Sequence, residues 1–414
     1  MNLFFYDTCS LLNLQEDGFN QNFLISNITF YELENIKTAR LKDEEIKYQA
    51  QNIQRLLRKY QDKYQIVFFK EEYKKNTSLT DTDDSKIIAC ALYAAREIDE
   101  DVIFVTDDLA CAKIAELEGL HVIDSSPLHT EDYTGFKEIV VDNNENQQFY
   151  SNLDETLETV ENEYDLLENE YLIIKDSDGK IVDKYKWKKG KYERVKRINF
   201  YSKMFGEIKP RDAYQELAFD SLANNKLTLL CGKPGSGKTL LAFGYMFQAL
   251  REGKIDKIVV FCNTVATRGA AKLGYLPGDR TEKLLDSQIG NLLLSKLGGD
   301  RAFLEDMITE GTLVLLPISD IRGYDTSGMK AAVYITEAQN LSIDMMKLCL
   351  QRVGEDCICI LDGDYEAQVD LSMYSGSNNG LKRVSKIFKG KKFFGQVNLQ
   401  NIYRSEIAAI ADLM

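Results

Sequence analysis

The stretch that most constrains this chain is Gly232-Lys233-Pro234-Gly235-Ser236-Gly237-Lys238-Thr239. It has the form G-x-x-x-x-G-K-[ST], a phosphate-binding loop. Its flanks supply the required setting. Leu227–Cys231 is an apolar run that reads as a strand, and a helical pattern runs from Leu240 to Leu250. Glycines at 232, 235 and 237 let the backbone turn its N–H groups onto phosphate oxygens. The helix starting near Lys238 points its positive end at the same anion. Lys238 is placed to charge-stabilise the outer phosphates, and the Thr239 hydroxyl to ligate Mg²⁺. The loop residues from Gly232 to Thr239, with Leu240, are therefore the expected nucleotide contacts.

Length and charge narrow the setting. A chain of 414 residues implies two or three domains. No apolar run approaches the ~20 residues of a membrane span, so no membrane partner is expected. The opening Met1-Asn2-Leu3-Phe4-Phe5-Tyr6-Asp7 lacks a basic start, and the expectation is that it is no signal peptide. Eight cysteines are scattered and only His121 and His129 accompany them, which argues against a zinc site or a disulfide framework and suits a reducing cytoplasm. A net charge of −14 opposes a broad non-specific grip on nucleic acid but leaves room for a local basic groove.

In the N-terminal third, short apolar runs at Leu3–Tyr6, Leu24–Ile25, Tyr64–Phe69 and Val102–Val105 alternate with helical patterns. That alternation predicts a small parallel α/β unit. Asp7, and the pair Asp107 and Asp108, fall at the carboxyl ends of strands, where open parallel sheets place their sites. Glu32 and Asp84 open the helices that follow. Singly these acids fit ordinary helix starts: Thr29-x-x-Glu32 has the form of a capping box, and Asp83, Asp84, Asp107 and Asp108 suit helix N-termini. Jointly they would repel unless divalent cations neutralised them. Carboxylates and water suit Mg²⁺ or Mn²⁺, and two such ions activate a water and stabilise the leaving oxygen of a phosphodiester.

The segments Phe5-Tyr6-Asp7-Thr8-Cys9, Thr29-Phe30-Tyr31-Glu32-Leu33, Asp83-Asp84-Ser85-Lys86 and Val105-Thr106-Asp107-Asp108 resemble a PIN-domain nuclease over residues 1–130. The resemblance implies metal-dependent cleavage of single-stranded RNA, with Asp7, Glu32, Asp84 and either Asp107 or Asp108 as catalytic, metal-binding carboxylates.

Residues 131–204 read as an acidic linker and a small β-rich connector. Asp142-Asn143-Asn144-Glu145-Asn146 looks like a loop, and 152–168 like a solvated helix. Two hairpins follow, over 171–182 and 185–197. The second, Tyr185-Lys186-Trp187-Lys188-Lys189-Gly190-Lys191-Tyr192 with Arg194, Lys196 and Arg197, interleaves cations and aromatics. That pattern is expected of a surface that stacks single-stranded bases. It also arises from a small sheet with aromatics inward and lysines outward.

Residues 205–414 carry further apolar runs at Ile258–Cys262, Thr312–Leu316, Ala332–Ile335 and Cys357–Leu361, typical of a parallel sheet buried on both faces. Together with the loop they predict a RecA-like P-loop NTPase core. Lys272-Leu273-Gly274-Tyr275-Leu276-Pro277-Gly278-Asp279, Ile321-Arg322-Gly323, Glu337-Ala338-Gln339-Asn340, Gly363-Asp364 with Gln368, and Tyr403-Arg404-Ser405 resemble the PhoH family of ATPases. With Asn169-Glu170-Tyr171 between the two ends, nearly the whole chain resembles the PIN–PhoH fusion proteins. The resemblance implies ATP hydrolysis coupled to unwinding of, or movement along, single-stranded RNA, in a homo-oligomer for which a hexameric ring is the expected form. Glu337 would orient the attacking water, Asp364 and Gln368 would sense the γ-phosphate, and Arg404 would act as an arginine finger. Gln215 stands where superfamily-one helicases contact adenine. One departure stands out: the family pattern Asp-Glu-Ala-Gln-Asn reads Thr336-Glu337-Ala338-Gln339-Asn340 here. Loss of that acid predicts slower hydrolysis or weaker Mg²⁺ affinity, and keeps open an ATP-switched RNA-binding protein with little turnover. The residues do not distinguish RNA from DNA.

Overall fold

The computed structural model describes residues 2–39, 44–128, 132–141, 150, 153, 160–203, 205–262, 290, 294, 301–364 and 378–403. The chain divides into two compact units at Asp132/Tyr133.

The first unit is a parallel sheet of β1 (Asn2–Tyr6), β2 (Phe23–Ser26), β3 (Tyr64–Val67), β4 (Asp101–Val105) and β5 (His121–Ile123) in the order β3-β2-β1-β4-β5. Alternate strand residues feed two cores. Phe5, Leu24 and Phe104 pack to one face, and Tyr6, Ile25 and Val105 to the other. That is why these strands read as continuous apolar runs. Helices α1 (Thr8–Leu14), α2 (Asn27–Thr38), α3 (Glu44–Lys59), α4 (Asp83–Glu97) and α5 (Leu109–Leu117) complete the unit. In α3, Ile53, Leu56 and Leu57 are spaced to share one face of the helix, and all three are buried. The capping box at Thr29 does not form. Ser26 caps α2, its hydroxyl accepting from the Ile28 N–H at 3.1 Å, and Glu32 is left for other work.

The second unit begins with strand β6 (Phe136–Val140), inside the stretch expected to be linker. It pairs in parallel with β7 (Tyr171–Lys175), which pairs antiparallel with β8 (Ile181–Lys188), and β8 with β9 (Lys191–Arg194). The two predicted hairpins thus share one long central strand. A two-stranded ribbon, β10 (Phe200–Ser202) and β11 (Gly206–Ile208), follows. In the expected solvated helix, residues 160–168 are not helical. The rest of that helix, Leu153 excepted, lies outside the described residues, and so does the expected loop Asp142–Asn146.

Next come α6 (Ala213–Asn224), β12 (Leu227–Gly232), α7 (Lys238–Arg251), β13 (Lys257–Cys262), α8 (Arg301–Thr309), β14 (Leu313–Pro317), β15 (Ala331–Ile335), α9 (Ile343–Leu350), β16 (Ile358–Gly363), α10 (Gly380–Phe388) and β17 (Phe394–Leu399). The six strands form a parallel sheet in the order β14-β13-β15-β16-β12-β17. Core residues cover both faces. The Asn169-Glu170-Tyr171 motif joins the connector to this sheet. The Asn169 side-chain amide donates to the carbonyls of Lys391, Lys392 and Phe394, at the start of β17.

Candidate nucleotide site and acidic site

β12 ends at Gly232, whose φ of +143° puts it where a side chain is disfavoured. A Cβ there would lie 2.7 Å from the Leu399 carbonyl oxygen. Gly237 caps α7 at φ +98°, so the loop leads directly into the helix N-terminus. Lys238 folds back over the loop and donates to the carbonyls of Gly232 and Lys233. Ser236 Oγ is buried in the loop with no hydrogen-bond partner among the described residues. Such an orphaned hydroxyl suits a site shaped for a ligand.

Gln215, expected at the adenine, bonds to the phosphate loop and to the chain before α6. Its Nε2 donates to the Ser236 carbonyl at 3.1 Å, and its Oε1 accepts from the Arg211 N–H at 3.0 Å. With both ends of the amide bonded and only 4% of the residue exposed, Gln215 braces the loop. Asp212 and Tyr403 assist. Asp212 caps α6 and accepts from Asn401 and from the Tyr403 phenol, while the Tyr403 N–H donates to the Gly235 carbonyl at 2.9 Å.

Asp362, at the end of β16, is the central acid of this site. It is 1% exposed. One carboxylate oxygen accepts from Thr239 Oγ1 at 3.2 Å and from Tyr334 Oη at 2.7 Å, and the other from the Glu337 N–H at 3.0 Å. Burial and the adjacent Asp362 carboxylate raise the Tyr334 pKa far above its ordinary value, so the phenol stays a donor. Thr336 is buried, whereas Glu337 is exposed, with a left-handed backbone (φ +50°) and a carboxylate accepting from Gln339 Nε2 at 2.7 Å. Gln339 Oε1 in turn accepts from the Asp364 N–H at 3.3 Å, which links the two motifs. Gln368, Arg404 and Lys272–Asp279 lie outside the described residues.

In the first unit, Asp7 follows β1 and caps α1, accepting from the Ser10 N–H at 2.7 Å. Burial raises its pKa, and hydrogen bonds from Thr106, Ser10 and Cys9 partly offset this. Glu32 accepts from the Thr8 hydroxyl. Its pKa is raised first by burial and then by the charges of Asp84, Asp83 and Asp7, against the Thr8 bond. Asp84 is likewise raised by burial and by Asp108 and Asp83. In both acids these effects run opposite to the charge-stabilising helix start the sequence allows.

The pair at 107 and 108 separates. Asp107 accepts from the Ser125 N–H and hydroxyl at 2.8 and 2.7 Å and from Asn13 at 2.7 Å, which ties together the ends of the sheet. Asp108 caps α5 through the Cys111 N–H at 2.8 Å and repels Asp84. Among the described residues no group of three or more His, Cys, Asp or Glu side chains is gathered tightly enough to hold a metal ion. The neighbouring acids are close enough to raise the pKa values of Glu32 and Asp84, and their all-oxygen chemistry suits a hard cation.

Residues 207–413, half of the chain, match the family model of PhoH-like proteins. The chain belongs to the PhoH-like proteins. Residues 2–126 match a PIN domain, so this PhoH-like protein is a PIN–PhoH fusion. Protein PhoH2 of Bacillus subtilis (strain 168) is 28% identical over 80% of this chain and 77% of its own length. Protein PhoH2 of Mycolicibacterium smegmatis is 30% identical over 54% of this chain and 50% of its own. Among solved structures, the Pif1 helicase of Candida albicans aligns with 50% of this chain and 43% of its own at 13% identity, with a TM-score of 0.26. That score does not establish a shared fold.

In this PhoH-like chain the connector hairpin is not an open stacking platform. Tyr185 and Tyr192 are buried, and Trp187 meets Tyr192 edge-on at 4.8 Å within a small core. The inward-aromatic alternative holds because the sheet needs that core. Lys186 is buried against Asp220 at 2.6 Å, Lys184 pairs with Glu216, and Arg194 with Asp183. A groove of about 490 Å³ remains beside it, lined by Lys186, Lys191, Arg194 and Lys196 along with Glu193 and Asp220. Sequence reasoning misses Asp362, Asp212 and Tyr403 as site residues, although Tyr403 stands in the Tyr403-Arg404-Ser405 segment and Asp362 directly before Gly363-Asp364. No helix among the described residues is long and apolar enough to cross a membrane.

Proposed function

We propose that this chain is an ATP-driven RNA helicase or translocase joined to a metal-dependent ribonuclease that cuts single-stranded RNA. The observation that carries the reading is a phosphate loop whose Thr239 faces a buried carboxylate, with the exposed Glu337 beside it, in a chain where the charges of Asp7 and Asp84 act on Glu32 and that of Asp108 acts on Asp84.

In the ATPase half, Lys238 leaves its loop carbonyls for the outer phosphates of ATP, while the loop N–H groups and the start of α7 cradle them. Glu337 holds the attacking water, oriented by Gln339. Arg404, Asp364 and Gln368 serve the γ-phosphate by family resemblance. Bound Mg²⁺ or Mn²⁺ would supply charge neutralisation at the phosphates and, in the nuclease half, an activated water. In the nuclease half, Asp7, Glu32, Asp84 and Asp108 would hold such a cation, and Asp107 fixes the loop that carries Asp108. The physical logic of the fusion is that structured RNA is opened before a single-strand nuclease cuts it. A homo-oligomeric ring, with neighbours completing the nucleotide site, fits this reading.

The test measures ATP turnover and RNA cleavage for the wild type, Lys238→Ala and Asp7→Asn, with single-stranded RNA and with single-stranded DNA. Lys238→Ala is expected to lose turnover, and Asp7→Asn to lose cleavage alone. A wild type that binds ATP without turnover, with or without either nucleic acid, would instead establish an ATP-switched binding protein. Stimulation by DNA and not RNA would overturn the choice of substrate.

A further inference from the structure

Thr336 lacks the carboxylate that its family position carries, and a neutral hydroxyl adds no charge beside a cation. The sheet topology shows where a carboxylate stands instead. β16 lies between β15 and the loop strand β12. Ile335 is level with Leu361, and Leu230 with Asp362. One residue further along β15, Thr336 is therefore level with Asp362, which stands one strand nearer the phosphate loop. We propose that Asp362 takes over the part of the missing acid, opposing Thr239 as the carboxylate that holds the hydration shell of the nucleotide's Mg²⁺. The inference rests on the ATPase reading above.

Three observations support it. Asp362 Oδ2 already accepts from the Thr239 hydroxyl at 3.2 Å, so the two hard oxygen donors meet at the loop. The carboxylate is 1% exposed, and burying a charge is costly unless something answers it. Donors from Tyr334, Thr239 and Glu337 answer it in part, and they fix its orientation. Thr336 and Thr239 both lie within hydrogen-bonding influence of the same Tyr334 phenol, so the vacated position and its replacement belong to one network. Asp362 acts here as a positioning residue. Its Oδ1 also holds the backbone of Glu337, so one side chain sets both the cation side and the water side of the site. On this account the Thr336 departure does not weaken the site, because the negative charge has moved by one strand.

The experiment measures binding of a fluorescent ATP analogue with Mg²⁺ and with a chelator, for the wild type, Asp362→Asn, and the exchange variant Thr336→Asp with Asp362→Thr. Thermal melting of each checks folding. The wild type is expected to bind more tightly with Mg²⁺. Asp362→Asn is expected to bind as the wild type does under chelator and to lose about tenfold or more of the Mg²⁺-dependent gain, the usual scale for outer-shell partners. The exchange variant is expected to recover most of that gain, which a purely structural role of Asp362 would not produce. An unchanged Mg²⁺ gain in Asp362→Asn would overturn the inference while leaving the ATPase reading intact. An exchange variant that folds but recovers nothing would also overturn it. A wild type that binds no nucleotide at all would overturn both.

Discussion

Tyr171 donates its phenol to Asp220 at 2.8 Å, joining the connector sheet to helix α6 of the ATPase core. Lys186 reaches the same carboxylate oxygen at 2.6 Å. Burial and the Asp220 charge raise the Tyr171 pKa well above its ordinary value, which keeps the phenol a donor. The middle of the chain is therefore more than a tether.

Asp220→Ala leaves Lys186, 3% exposed, as an unanswered buried charge. The expected loss is about 3–5 kcal/mol, because removing one partner strands the other. Tyr171→Phe leaves the ion pair intact and is expected to cost about 1 kcal/mol. Urea unfolding of the full chain measures both. Equal small losses would show that the joint contributes little.

Gln215→Ala removes the brace on the Ser236 carbonyl. A loosened phosphate loop weakens every nucleoside triphosphate alike, so affinities for ATP and GTP are expected to fall together, by roughly tenfold for about 1.4 kcal/mol. An adenine contact would instead weaken ATP and spare GTP. Paired titrations with the two nucleotides decide between bracing and base recognition.

Much of this architecture is legible in the sequence because strands buried on both faces leave continuous apolar runs, as at Ile258–Cys262 and Val102–Val105. β17 escapes for a physical reason. Its Gly395 is needed where a Cβ would sit 2.2 Å from Asn225 Nδ2, and its buried Gln396 donates to the Tyr133 carbonyl. Such close approaches impose polar and small residues on a strand, and the pattern breaks. The acidic residues can be named from local motifs, but choosing between Asp107 and Asp108 requires the Ser125 and Asn13 hydrogen bonds, which come from distant chain. Asp362 is hidden for a similar reason. Thr336 shows a gap in its own motif, and only strand order reveals what stands next to it.

The separation of Asp107 from Asp108 has a direct consequence. Asp108→Asn and Asp84→Asn are expected to abolish the rise in melting temperature that Mn²⁺ gives the wild type, with little change in the metal-free melt, since asparagine still caps α5. Asp107→Ala strands Ser125 and Asn13 and is expected to lower the metal-free melt, at about 1–3 kcal/mol, while keeping the Mn²⁺ response. The reverse pattern would make Asp107 the cation-facing acid.

The connector groove distinguishes packing from binding. Tyr192 is 2% exposed and edge-on to Trp187, so Tyr192→Ala is expected to cost about 3–5 kcal/mol of stability through the cavity it leaves. Lys191 and Lys196 line the groove and carry no ion pair among the described residues. Replacing both with alanine is expected to leave the melt unchanged and to weaken single-stranded RNA binding. The slope of log affinity against log salt should flatten by about 0.7 for each phosphate that the variant no longer neutralises. RNA titrations at several salt concentrations read this slope directly. An unchanged slope would place the RNA elsewhere on the chain and reduce the groove's cations to solvated edge residues of a small sheet.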